Sequence, residues 1–128
     1  MPIDVAFRDP DMFFVLATGA VTFEEAQRAI HEVSHHPGFA RTGKLLVDST
    51  GMTSAPTAAE LRRIAGDLNP LIERGFGPLA IVSGGFGYGV ARMFSVFAEV
   101  FGLTVRAFRN SEEAEQWLLM APPAAPRT

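Results

Sequence analysis

Apolar positions along the chain switch between two periods, and the switches mark the elements. Residues 3–8 and 12–18 are extended runs separated by Asp9-Pro10-Asp11, which supplies turn chemistry, so the chain opens as an antiparallel hairpin. The second run, Met12-Phe13-Phe14-Val15-Leu16-Ala17, is continuous rather than alternating and predicts a strand buried on both faces, ended by Gly19. Phe23, Ala26, Ile30 and Val33 then recur at helical spacing behind a Thr22/Glu25 capping box, and Pro37-Gly38 stops that first helix. Leu45-Leu46-Val47-Asp48 reads as a short buried strand reached by a right-handed crossover. Thr57 and Glu60 open a second helix whose Leu61, Ile64, Leu68 and Leu71 face inward. Pro70 lies inside its pattern and predicts a kink or split, and Gly75 suits its C-terminal end.

A strand over 79–82, a glycine-rich turn and a third helix over about 88–101 follow, ended by Gly102. Residues 103–108 suit an edge strand, with Thr104 and Arg106 alternating with Val105 and Ala107. Asn110 and Glu113 open a fourth helix to about 119, with Ala114, Trp117 and Leu118 inward. The order ββαβαβαβα predicts an α/β single domain over 1–120: a mixed, mostly parallel five-stranded sheet flanked by four helices. Residues 121–128, rich in Pro and Ala, are expected to form a disordered tail.

Composition narrows the function classes. The chain has 128 residues and no cysteine, which excludes disulfides and thiolate metal sites. A net charge of −3 lacks the footprint of a nucleic-acid binder. No apolar run approaches the ~18 residues of a membrane span, and the first residues carry no basic, apolar secretory pattern. A cytoplasmic location is the expectation.

Three stretches carry candidate chemistry. His31-Glu32-x-x-His35 matches a zinc-hydrolase motif, but both histidines lie off the buried stripe and Pro37 ends their helix, so no metal site is expected. Gly84, Gly85, Gly87 and Gly89 follow a buried strand, yet their spacing fits neither a dinucleotide fingerprint nor a P-loop, and no cofactor is expected. A generic small-ligand or anion site at the carboxyl ends of the strands is retained, with Asp48, Ser83, Gly85, Gly87, Tyr88 and Arg92 as its candidate residues. A ligand carrier needs a pocket of roughly 300 Å³ or more lined by that turn and the third helix. The third helix has only a thin polar stripe, Arg92, Ser95 and Glu99, among apolar neighbours. A helix so apolar is either sandwiched or covered, which makes Met93, Val96, Phe97 and Val100 candidates for a homodimer interface.

Taken together, these segments resemble the SpoIIAA-like family, related to STAS domains and more distantly to CRAL-TRIO lipid carriers. The resemblance is carried by Thr22-Phe23-Glu24-Glu25, His36-Pro37-Gly38-Phe39, Leu46-Val47-Asp48, the run 88–94, Val105-Arg106-Ala107-Phe108-Arg109, and the run 113–118. It implies the fold and no established activity. STAS anti-sigma antagonists carry a phosphorylated serine at the start of the helix after the third strand. Here that position reads Ser54-Ala55-Pro56-Thr57, and Asp48-Ser49-Thr50-Gly51 falls several residues too early. The expectation is therefore a non-enzymatic regulatory or protein-interaction module, dimeric, with a protein partner. The alternative is a carrier or sensor of a small apolar or anionic ligand, and a remote alternative is a zinc hydrolase using His31, Glu32 and His35. No catalytic residue is assigned.

Overall fold

Five strands pair side by side in chain order: β1 (Ile3–Arg8), β2 (Met12–Ala20), β3 (Leu45–Ser54), β4 (Leu79–Val82) and β5 (Val105–Phe108). In this computed structural model residues 3–9 and 11–124 are described, the Phe86 side chain excepted. Pro10 of the expected turn and residues 125–128 of the expected tail lie outside the described residues. β1 runs antiparallel to β2, and the other three pairings are parallel, giving the mixed, mostly parallel sheet that the element order predicts. The helices are α1 (Phe23–His35), α2 (Ala58–Asp67), α3 (Asn69–Glu73), α4 (Phe86–Glu99) and α5 (Ser111–Met120), with a 3₁₀ turn at Pro37–Ala40.

The four-helix pattern holds, with its second member split. Pro70 sits at the start of α3, where its missing N–H costs nothing, and Leu68 is the junction with α2. α3 then ends in a Schellman motif: Gly75 (φ 99°) donates to Ile72 O and Phe76 donates to Leu71 O. Gly102 (φ 83°) ends α4 in the same way, with bonds from Gly102 to Glu99 and from Leu103 to Ala98. Of the three expected capping boxes one is reciprocal. Thr57 Oγ1 accepts from Glu60 N, and Glu60 Oε1 accepts from Thr57 N. Thr22 and Asn110 cap their helices one way only; at Thr22 the reason is that Glu25 turns to Arg28 instead.

Two strands outrun their predicted ends. β2 continues through Gly19 (φ 69°) to Ala20, and β3 continues through the polar residues 49–54, the two pairing with irregular register. Side-chain alternation divides the core. Val15, Leu45, Leu79 and Ile81 face α1, α2 and α4, whereas Met12, Leu46, Ala80, Val82 and Phe108 face α5. Three connections thus return over one face, and α5 alone covers the other. That asymmetry corrects the reading of β2 as buried on both faces: Leu16, on the α5 side but beyond its reach, is 46% exposed. No helix among the described residues is long and apolar enough to cross a membrane.

Candidate functional site

The three-helix face does not pack solid. α1 presents Ala26 and Ala29, α4 presents Gly87 and Ala91, and β2 presents Ala17 toward a common space. Such short side chains cannot fill the spacing between a sheet and its covering helices, and a cavity of about 210 Å³ remains. Val47, at the middle of the central strand, is half-exposed for this reason. Met52, Ala55 and Pro56 on one side, and Gly84, Gly87 and Val90 on the other, bring one end of the space to solvent at the carboxyl ends of β3 and β4. Parallel sheets bind ligands at that end, because the loops leaving the strands diverge there.

Among the described residues, two polar side chains border this cavity, Ser49 and Ser83. Ser83 follows β4 directly, is fully buried, and extends the ladder by donating its N–H to Phe108 O at 2.9 Å. Its Oγ lies 2.7 Å from Ser49 Oγ, which in turn is 2.8 Å from Val82 O. A Cβ built on Gly87 would lie 3.7 Å from Ser83 Cβ and 4.0 Å from its Oγ, so the first turn of α4 packs directly against Ser83, which keeps no accessible surface.

Of the six candidate ligand residues, the fold brings Ser83 and Gly87 to the cavity. Asp48 is placed elsewhere. It pairs with Val82 in register and shares the α5 side of the sheet with Leu46, so Ser49, one residue on, takes the cavity position. The Asp48 carboxylate accepts from Thr50 N and Thr50 Oγ1 within its own strand. Gly85 (φ 57°) is the N-cap of α4 and is exposed. The Tyr88 ring lies under the Arg109 guanidinium at 4.3 Å, and Arg92 is exposed; neither lines the cavity. Sequence reasoning missed Ser49, although the signal was present. Leu45, Val47 and Ser49 share one face of β3, and Leu79, Ile81 and Ser83 share one face of β4 and its extension.

On α4, Met93, Val96 and Val100 stand 38%, 61% and 80% exposed, spaced as one stripe beside Arg92 and Glu99. The helix is therefore not sandwiched within the chain. Phe97 differs from these three: it is half-buried against the core with the Arg62 guanidinium 4.9 Å over its ring. His31 and His35 are exposed and stack at 4.1 Å, with His35 Nδ1 3.0 Å from the His31 carbonyl oxygen. No group of three metal-ligating side chains comes together among the described residues. His36 turns inward instead, its Nδ1 accepting from Gly38 N and its ring edge-on to Phe13. Thr57, near the phosphoserine position of STAS antagonists, is occupied in capping α2.

No protein-family model and no curated protein matches the chain. Its structure is similar to the crystal structure of an uncharacterized protein from the DUF3478 family with a SpoIIAA-like fold from Shewanella loihica PV-4. The two share 18% identity over 91% of each chain, with a TM-score of 0.60. At that identity the likeness is one of fold.

Proposed function

We propose that this chain, with its SpoIIAA-like fold, is a non-enzymatic binding module that carries or senses one small, largely apolar ligand. The observation behind the reading is the cavity of about 210 Å³ between the sheet and three helices. Close-packed interiors hold few voids larger than a water molecule. The volume sets the ligand's size. A 150 Å³ cavity holds benzene, so this one suits about eight non-hydrogen atoms. It falls short of the roughly 300 Å³ set above for a carrier, a threshold that belongs to drug-sized ligands, so the reading is narrowed to a fragment-sized compound and excludes a lipid. The non-enzymatic reading is supported by the lining, whose described side chains include two hydroxyls and no carboxylate, imidazole, amine or thiol.

Toluene is a suitable probe. Titrated into the protein and followed by methyl NMR, it is expected to bind saturably at one site and to shift methyls of Val47, Leu61 and Ile81. A folded protein showing no saturable shift would refute the reading.

The exposed stripe on α4 favours a second reading, self-association of two copies through Met93, Val96 and Val100. Val96→Glu tests it better than a change at Phe97, whose ring packs on the core. Sedimentation should show a dimer converted to a folded monomer; equal mass for both proteins argues against this interface.

A further inference from the structure

We propose that His31 and His35 form a two-imidazole site for a single divalent copper ion on the outer face of α1, independent of the cavity. The two residues lie one turn apart at the carboxyl end of the helix, and His35 is its last residue. Side chains four residues apart on a helix are neighbours on one face. Both are exposed, so an ion reaches them from solvent. The negative end of the helix dipole favours a cation at this position.

Hydrogen bonds decide which nitrogen of His35 is free. Ser34 Oγ donates its single hydrogen to the His31 carbonyl oxygen at 2.8 Å, so in its 2.9 Å contact with His35 Nδ1 it accepts. Nδ1 also lies 3.0 Å from the same carbonyl oxygen, which can only accept. Both contacts place a hydrogen on Nδ1 and leave the lone pair of the neutral ring on Nε2. A ring that donates one N–H to a backbone carbonyl and keeps its other nitrogen bare has the arrangement of metal-ligating histidines.

The ring spacing selects the ion. A metal–nitrogen bond of about 2.0–2.1 Å sets each ring centroid about 3.2 Å from the ion. Two such rings stand about 4.5 Å apart when the bonds meet at about 90°, and about 5.2 Å apart at the tetrahedral angle. The observed separation is 4.1 Å, with the planes inclined by 34°. A square-planar ion therefore parts the rings by about 0.4 Å, and a tetrahedral one by about 1.1 Å. Square-planar nitrogen sites suit Cu2+ or Ni2+, and Cu2+ stands highest in the affinity order of divalent first-row ions. Glu32 is drawn to Arg28 at 3.2 Å, and His36 turns inward, its Nδ1 accepting from Gly38 N. Neither adds a third ligand, and the remaining positions of the ion go to water.

Copper(II) sulfate titrated into the whole protein tests this, read by calorimetry and by electron paramagnetic resonance. One Cu2+ should bind per chain, with an axial spectrum split by imidazole nitrogen. His31→Ala and His35→Ala should each weaken Cu2+ at least tenfold, because either leaves a single imidazole. Both positions are exposed and alanine favours a helix, so these variants keep the fold. Glu32→Gln should leave the affinity within threefold, and Zn2+ should bind at least tenfold more weakly than Cu2+. Absence of Cu2+ binding would overturn the site, as would unchanged binding in the double variant His31→Ala, His35→Ala. A tenfold loss in Glu32→Gln would overturn the two-ligand assignment. Zn2+ binding as tightly as Cu2+ would overturn the square-planar one.

Discussion

Gly87→Ala should make the protein more stable and a poorer ligand binder at once. Gly87 lies in the first turn of α4 with its open side toward the cavity. The added Cβ meets Ser83 Cβ at 3.7 Å and Oγ at 4.0 Å, ordinary contact distances that require nothing to move. Replacing a helical glycine by alanine gains about 0.4–1 kcal/mol, mainly by restricting the unfolded chain. Placing one methyl in unfilled apolar space adds up to about 0.8 kcal/mol. The sum, about 0.4–1.8 kcal/mol, corresponds for 128 residues to a rise in Tm of about 2–7 °C. The same methyl occupies part of the 210 Å³, so affinity for toluene should fall on the order of tenfold. Urea denaturation without ligand, and calorimetric titration with it, separate the two effects. Lower stability would mean that the space is already filled by packing. Higher stability with unchanged affinity would mean that ligands bind elsewhere.

Three further substitutions probe the placement of side chains. Asp48→Asn should leave toluene affinity within twofold, because the carboxylate lies on the α5 face and bonds Thr50; a tenfold loss by calorimetry would put it back in the site. Gly75→Ala forces a Cβ into a φ of 99° at the end of α3 and should cost about 1–2 kcal/mol in urea unfolding, whereas no measurable loss would contradict the Schellman geometry. Thr57→Ala removes one half of the reciprocal box and should cost about 1 kcal/mol; Thr22→Ala, losing a one-way cap, should cost less, and the reverse ranking in denaturation would refute the distinction.

The sequence by itself determined where the helices are capped and broken, because those signals are local. Thr57 with Glu60 caps α2 through contacts three residues apart, Pro70 splits a helix through its own missing N–H, and Gly75 and Gly102 end helices through backbone freedom. Strand alternation was equally legible. It carried enough information to put Ser49 and Ser83 on one face, yet the acidic Asp48 beside them drew the assignment instead. Other features were not local. The continuation of β3 through residues 49–54 depends on irregular pairing with β2, which no pattern in those polar residues announces. The exposure of Leu16 follows from α5 covering only part of its face of the sheet. The cavity is the clearest case. Ala17, Ala26, Ala29, Gly87 and Ala91 are small residues on three elements, β2, α1 and α4, far apart along the chain. Only the fold brings them to one point, where the volume they fail to fill becomes a site. A periodic pattern specifies which face of an element turns inward. How much room is left when three such faces meet is a sum over all of them, and it is fixed only by their packing.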